Sequence, residues 1–168
     1  MAESEFTEAY EEDQGELRGA IVNEPISTLE TKKPVEVTAE LPVRDTVALM
    51  NVHHTGCVLV VEDGKLVGIF TERDLLRIVQ EEADTSSIPV GQAMTAQPDV
   101  LRPDNRIALA LNKMSEGGFR HIPLVDGRGR PVGIVAMRDI VRFIVSMFPD
   151  AVLTVPPDPA KIPTKYGG

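Results

Sequence analysis

The stretch CVLVVEDGKLVGIF, residues 57–70, decides the fold, because two short apolar runs flank an Asp63-Gly64 turn. The β-branched content of the runs and the Asp-Gly dipeptide predict a β-hairpin. A second hairpin is predicted in HIPLVDGRGRPVGIV, residues 121–135, with one extra residue in its turn. Pro123 has no amide donor, so we expect a free strand edge there. The same hairpin therefore occurs twice.

Each hairpin is flanked by segments with helical spacing. Apolar residues at i, i+4 and i+7 precede each hairpin, and the two sets lie 64 positions apart: Val43, Val47 and Met50, then Ile107, Leu111 and Met114. A second helix is predicted from Glu72 to about Gln80, and again from Met137 to about Met147. The short segments 34–37 and 98–101 open the copies as strands. The predicted fold class is α/β (α+β), built from two βαββα repeats.

Composition divides the chain further. The predicted organisation is an acidic, flexible N-terminal tail (1–20), a first repeat (21–82), a polar linker (83–89), a second repeat (90–149) and a Pro-rich C-terminal tail (150–168). The formal net charge is −9, and seven acidic residues precede Arg18. Because the remainder is nearly neutral, we expect no binding to nucleic acid, which needs a basic surface.

Cellular setting and assembly follow from the apolar pattern and the single cysteine. No run approaches the ~20 apolar residues of a membrane span, and the N-terminus lacks a secretory signal. The lone Cys57 cannot form an internal disulfide, which predicts a cytoplasmic protein with a buried, inert thiol. Residues 140–148 are apolar nearly all round and must be covered on several sides. This pattern predicts a homodimer.

The pattern with the most chemical content lies where the second strand of each hairpin becomes a helix. The two copies read GIFTERD, residues 68–74, and GIVAMRD, residues 133–139. Thr71 and Asp74 have the spacing of a capping box, a purely structural role. Ala136 cannot cap, yet Asp139 stands in the same place. Both interpretations, structural and functional, remain open on spacing alone.

The functional interpretation is that each helix N-terminus binds a ligand. Unpaired backbone N–H groups and the positive end of the dipole suit phosphate oxygens. A carboxylate accepts hydrogen bonds from a ribose diol, Thr71 offers a hydroxyl, and Arg73 and Arg138 offer positive charge. Such a site binds and does not catalyse.

With these motifs in order, the sequence resembles tandem CBS domains, which form a Bateman module when paired. The resemblance covers about residues 24 to 148. It is carried by GGFRHIPLVD (117–126), PVGIV (131–135) and GIFTERD (68–74), the last similar to the family's G-x-x-[ST]-x-x-D ligand motif. The resemblance implies two repeats packed about a pseudo-twofold axis through their sheets, with two clefts that bind adenosine ligands.

The resemblance also implies roles for individual residues. Asp74 and Asp139 would bind the ribose, and Thr71 is the one Ser/Thr of the motif. Residues before the second strand would line the base or phosphate side: Thr55 and Gly56 in copy one, Phe119, Arg120 and His121 in copy two. Copy one has no basic residue there and copy two lacks a hydroxyl, so we expect unequal clefts.

The resulting hypothesis is a regulatory module that senses an AMP-, ADP- or ATP-type ligand, with Thr71, Arg120 and His121 nearer the phosphates. Two alternatives stay open: a CBS platform for dimerisation or interaction with no nucleotide, and a module sensing S-adenosylmethionine. We expect no covalent cofactor, no metal site at the adjacent His53 and His54, no catalytic residue and no enzyme activity. The regulated partner is unknown.

Overall fold

The computed structural model describes Gly19 and residues 22–81 and 84–147. The predicted acidic and Pro-rich tails lie outside these residues, apart from residue 19. The strands are β1 (Glu36–Val37), β2 (Cys57–Glu62), β3 (Lys65–Thr71), β4 (Thr95–Ala96), β5 (His121–Val125) and β6 (Pro131–Ala136). The helices are α1 (Val43–Val52), α2 (Glu72–Gln80), α3 (Val90–Ala93), α4 (Ile107–Gly117) and α5 (Met137–Met147), with a 3₁₀ turn at Ile26–Thr28.

Both predicted hairpins form. β2 pairs antiparallel with β3, and β5 pairs antiparallel with β6. Asp63 and Gly64 have positive φ angles of 48° and 71°, as the tight turn between β2 and β3 requires. The mixed α/β fold and the doubled unit are therefore confirmed, with the helices close to their predicted bounds.

The sheets contain a feature that periodicity does not predict: each is completed by a segment from the other repeat. The first sheet has the order β1-β2-β3-β4, and β4 belongs to the second repeat, where it lies between α3 and α4 in the chain. In β4, Thr95 pairs with Ile69. The reciprocal contact is an antiparallel bridge from Lys32 to Ile134 in β6. The segments that open the two repeats, around residues 25–32 and 89–96, are thus exchanged between the repeats.

The exchange extends to the helix starts and the cores. Ile26 donates its amide to the Asn105 carbonyl at 2.8 Å, and Val90 donates to the Leu41 carbonyl at 2.7 Å. Ile26 is fully buried in the core of the second repeat, and Val90 is fully buried in that of the first. The repeats therefore interlock and do not merely touch.

The edge at Pro123 differs from its prediction. Leu101 lies beside β5 in a parallel bridge, and its amide donates to the Pro123 carbonyl at 3.0 Å. The edge is therefore not free. In the first repeat the equivalent Leu59 donates its own amide to the Val35 carbonyl at 2.8 Å. Because Pro123 cannot make that bond, the second repeat has a single bridge where the first has β1.

A third apolar cluster joins the two sheets. Cys57, Leu59 and Ile69 of the first repeat pack with Ile134 of the second. The hairpins are also linked by a hydrogen bond from the Leu66 amide to the Gly129 carbonyl at 3.1 Å. Packing through the sheets is therefore as the family resemblance implies.

Two smaller observations complete the fold. The described part of the linker begins with a turn in which Asp84 accepts from the Ser86 amide at 2.9 Å. Over the described ranges, no helix has both the length and the apolar character needed to cross a membrane.

The interlock gives a stability prediction. Ile26→Ala should lower the free energy of unfolding by about 2–5 kcal/mol, the usual range for truncating a fully buried aliphatic side chain, although Ile26 precedes every helix of its own repeat. Val52→Ala is the control, because Val52 is 72% exposed and should change stability by less than about 0.5 kcal/mol. Urea denaturation followed by circular dichroism measures both. Equal effects of the two substitutions would contradict the exchange of segments.

Candidate functional site

The start of α2 forms a complete capping box. Asp74 Oδ2 accepts from the Thr71 amide at 2.9 Å and from the Thr71 hydroxyl at 2.7 Å, and the Asp74 amide donates to Thr71 Oγ1 at 3.4 Å. The structural interpretation of this motif is therefore confirmed. It does not exclude a second role, because the cap occupies only one of the two carboxylate oxygens.

The other oxygen of Asp74 has weaker partners. Oδ1 lies 3.5 Å from Arg77 Nη2 and 3.4 Å from Thr95 Oγ1. The same Arg77 nitrogen makes a shorter bond of 3.0 Å to the Ala93 carbonyl. Since both contacts to Oδ1 are long, this atom can accept a ligand hydroxyl at small cost. Asp74 is buried, with 6% of its surface exposed, and its contacts with the protein hold the carboxylate in place.

The second copy keeps half of this arrangement. Asp139 Oδ2 accepts from the Ala136 amide at 3.0 Å, and Oδ1 lies 3.9 Å from Arg142 Nη1. Ala136 has no hydroxyl to share with the carboxylate. Asp139 therefore orients the helix start without the hydroxyl that the first copy has.

A cleft of about 440 Å³ opens at Thr71 and Asp74; we call it the first cleft. This volume is in the range of small-ligand sites. Its lining comes from the first repeat, from the exchanged segment around β4 and from the start of β5. The lining residues are Gly56, Ile69, Thr71, Glu72, Arg73, Asp74, Thr95, Gln97, Pro98, Asp99, Gly117, Phe119, Arg120 and His121.

A second cleft of about 370 Å³ lies beside Ala136 and Arg138. It is bordered by the end of α1, the residues before β2 and the start of α5. Its lining residues are Met50, Asn51, His54, Thr55, Gly56, Glu72, Arg120, His121, Ala136, Met137 and Arg138. Asp139 is not among them.

The two clefts draw residues from both copies. Arg120 and His121 border both clefts, beside Thr71 and Asp74 on one side and beside Arg138 on the other, whereas Phe119 borders the first cleft alone. Thr55 borders the second cleft instead, beside Ala136 and Arg138, and Gly56 borders both. The physical reason is that the sheets pack face to face, so the strand starts of one repeat lie opposite the helix start of the other. The first cleft therefore combines the Thr71 hydroxyl and the Asp74 carboxylate with Arg120 and His121.

Backbone contacts fix these strand starts on the helices. The Glu72 amide at the start of α2 donates to the Gly56 carbonyl at 3.1 Å. The Met137 amide at the start of α5 donates to the Arg120 carbonyl at 2.9 Å. Each bond satisfies the first unpaired amide of a helix. The residues before β2 and β5 are thereby held next to the clefts.

Two further residues of the first cleft have defined positions. The Phe119 ring packs directly over Gly117, where an added Cβ would lie 2.1 Å from a ring carbon. Arg73 Nη2 donates to the Gly118 carbonyl at 2.9 Å, across to the end of α4. Gly118 has a φ of 64° and ends that helix in the left-handed conformation. Arg73 is thus already engaged, which leaves Arg120 as the exposed cation of this cleft.

Burial changes the acid–base behaviour of two groups at the clefts. Burial, together with the charge of Arg138, lowers the pKa of His121, so its imidazole is neutral at pH 7 in the free protein. Burial raises the pKa of the Cys57 thiol to about 11. Cys57 is therefore a protonated core side chain, as predicted.

Several lining residues have no sequence motif of their own. Thr95 and Gln97 reach the first cleft because their segment is exchanged, and Glu72 borders both clefts from the first turn of α2. His54 reaches the second cleft from a loop position with a φ of 48°. The described residues contain no group of three His, Cys, Asp or Glu side chains that could hold a metal ion.

Comparison with known sequences agrees with this geometry. The profile of the CBS domain matches residues 26–81 and 90–146, more than half of the chain, and the chain belongs to this family. A 17.7 kDa protein of Acidianus ambivalens is 30% identical over 123 residues, which are 73% of this chain and 74% of that one. The CBS domain-containing protein CBSCBSPB1 of Arabidopsis thaliana is 33% identical over 122 residues, 71% of this chain but 22% of that protein.

Solved structures show the same fold. A CBS domain protein from Pyrobaculum aerophilum complexed with AMP has a TM-score of 0.65 at 21% identity, over 73% of this chain and 99% of that one. The CBS domain pair of protein MJ0100, in complex with 5′-methylthioadenosine and S-adenosyl-L-methionine, has a TM-score of 0.66 at 24% identity, over 71% and 98%. CBS domain proteins are commonly regulatory or signalling modules.

The capping box gives a direct prediction. Thr71→Ala should destabilise the protein by about 1 kcal/mol, the usual cost of losing an N-cap hydroxyl. Thr38→Ala is the matched control, since Thr38 is exposed and makes no side-chain hydrogen bond to any described residue. Urea denaturation measures both. Equal stability of the two variants would show that the Thr71 hydroxyl does not support the fold.

Proposed function

We propose that the protein is a regulatory ligand-sensing module that binds an adenosine nucleotide of the AMP, ADP or ATP type in the first cleft. The observation that supports this most is the meeting of Thr71 and Asp74 with Arg120 and His121 in one cleft. A carboxylate for a ribose diol and a cation for a phosphate are the two chemistries that such a ligand needs, and Asp74 and Arg120 supply them. The AMP complex of the Pyrobaculum aerophilum protein supports the ligand class.

The ribose would bind at Asp74 Oδ1, whose protein contacts are long, while Oδ2 keeps the capping box. The Thr71 hydroxyl can turn from Asp74 toward a ligand oxygen, because a hydroxyl rotates to suit its partner. The exposed Arg120 and the half-buried His121 would bind the phosphate. Phe119 supplies an apolar surface fixed over Gly117, next to which a base can pack.

The second cleft would bind the same class of ligand more weakly. It offers Arg138 and Thr55 and shares Arg120 and His121 with the first cleft, but Glu72 is the one carboxylate that lines it, and Ala136 has no hydroxyl. Asp139 would need to contact a ribose from behind the cleft wall. The two clefts are therefore proposed to be unequal, with the first the stronger.

S-adenosylmethionine is a second candidate ligand, favoured by one feature of the cleft. Glu72 is an exposed carboxylate at the border of both clefts and can pair with a sulfonium or ammonium group. The complex of the MJ0100 domain pair supports this chemistry in the fold. Glu72→Gln should then lower the affinity for S-adenosylmethionine and leave the affinity for AMP unchanged or higher.

A platform for dimerisation or interaction without a nucleotide is a candidate from another class. Leu76 and Val79 of α2 are 68% and 59% exposed, and Val141 of α5 is 50% exposed. Apolar side chains on two helices suit a self-complementary contact, and we propose a cytoplasmic homodimer formed through them. Analytical ultracentrifugation of Leu76→Glu distinguishes this dimer from a monomer. Failure of all adenosine ligands to bind an intact dimer would favour the platform.

Regulation would act through the arrangement of the repeats or of two chains, since a ligand shifts an equilibrium only by its differential affinity for the two states. The cleft walls come from both repeats, so a ligand that contacts Asp74 and Arg120 together favours one relative position. Residues 1–20 and 150–168 are candidate contacts for the regulated partner. Pull-downs with either segment removed would locate that contact.

The role of Arg120 is tested by substitution. Arg120→Ala should lower the affinity for AMP about tenfold or more, which corresponds to the loss of a hydrogen bond to a charged group. The affinity for adenosine should stay unchanged, because adenosine has no phosphate. Arg102→Ala is the matched control, since Arg102 is an exposed arginine beside Asp104, outside both clefts. Calorimetry measures the affinities. An equal loss for AMP and adenosine would contradict a phosphate contact.

Binding should also depend on pH through His121. Burial and Arg138 lower the pKa of the free imidazole, and a bound phosphate would raise it, so the complex takes up a proton. AMP affinity should therefore rise as the pH falls through the pKa of the complex and level off below that of the free protein. His121→Gln should flatten this rise. The phosphate of AMP also titrates, but it does so equally with both proteins, so the difference between the two pH profiles reports on His121. Parallel pH profiles would exclude His121 from the phosphate site.

A further inference from the structure

The two clefts share part of their walls. Gly56, Glu72, Arg120 and His121 border both of them. We call these four residues the junction. Any part of a ligand that reaches the junction, from either cleft, therefore contacts the same side chains.

The charges at the junction are few. Arg120 and Glu72 are exposed there, and Arg138 borders it from the second cleft. Among the described residues, none of the three makes an ion pair within 4.0 Å. His121 is half-buried and neutral, with Arg138, Glu72, Arg120 and Asp139 as the charged groups around it. The exposed groups Arg120, Arg138 and Glu72 sum to one positive charge (2 − 1), and the buried Asp139 carboxylate offsets it, so the net charge near the junction is at most +1.

We infer that the junction is a single anion site that serves both clefts, so that a phosphate-bearing ligand in one cleft weakens the binding of a second in the other. This inference rests on the proposed function. A phosphate monoester carries about −1.5 to −2 charges at pH 7, which already exceeds the net positive charge near the junction. A second phosphate would meet no unmatched cation.

The size of the effect follows from Coulomb repulsion. At low ionic strength, two such phosphates about 10 Å apart in a water-like dielectric repel enough to weaken the second binding step about tenfold, and added salt screens this effect. Adenosine has no charge and fills each cleft without this repulsion. If the junction is a shared anion site, AMP in one cleft weakens AMP binding in the other, and adenosine has no such effect. If the clefts are unequal but independent, neither ligand affects binding in the other cleft.

The experiment compares the wild-type chain with Thr95→Trp by calorimetry with AMP and with adenosine. Thr95 is exposed and borders only the first cleft, so a tryptophan there fills that cleft and leaves the junction intact. The variant should bind one AMP in the second cleft about tenfold more tightly than the wild type binds its second AMP, or the wild type should bind no second AMP. Adenosine should bind the second cleft equally in both. Asp74→Ala weakens binding in the first cleft by a different route, through loss of the proposed ribose contact, and should shift the second cleft in the same direction.

The outcomes separate the inference from the proposed function. Equal AMP constants for the second cleft in the two proteins would overturn the inference alone. So would a wild type that binds one AMP beside variants that bind none, because the second cleft would then be no site. If AMP, ADP, ATP and S-adenosylmethionine all fail to bind the wild type, the proposed function falls and the inference with it.

Discussion

The structure depends on the backbone pairing that exchanges the opening segments of the two repeats. Thr95 pairs with Ile69 in the first sheet, and Lys32 pairs with Ile134 in the second. An isolated two-stranded hairpin is marginal in water, so each hairpin needs these neighbours. Because each neighbour belongs to the other repeat, neither repeat can complete its sheet or its core alone. Folding of one half is therefore coupled to folding of the other.

The same exchange builds the first cleft. The chain continues from β4 through Gln97 and Pro98, which line this cleft together with Thr71 and Asp74. The hydrogen bond from Thr95 Oγ1 to Asp74 Oδ1, at 3.4 Å, connects the exchanged strand with the carboxylate that is the candidate for binding a ribose. A ligand at Asp74 would therefore contact the interlock itself. This is a physical route by which binding can change how firmly the two repeats are held together.

The sequence predicted what is local and missed what depends on packing between repeats. Helical spacing predicted the four longer helices, β-branched runs with turn residues predicted both hairpins, and the spacing of Thr71 and Asp74 predicted the capping box. The short helix α3 was not predicted. β4 is two residues long, too short to show any period. A weak signal existed, since Pro25-Ile26 and Pro89-Val90 lie at the repeat offset of 64 (25 to 89) and both open exchanged segments. The position of Arg120 and His121 between the two clefts was missed for the same reason, because it depends on how the sheets meet.

Asp74 illustrates how one side chain can serve both fold and ligand. Its Oδ2 atom makes two short bonds within the capping box, so the carboxylate is oriented before any ligand arrives. Preorganisation of this kind reduces the entropy lost on binding. The cost is that the hydroxyl of Thr71 is partly committed to the cap. Asp139 has the opposite balance: with Ala136 beside it, its carboxylate is less constrained but lacks a hydroxyl partner. The proposed inequality of the clefts thus begins at this one position, where a threonine in the first repeat is an alanine in the second.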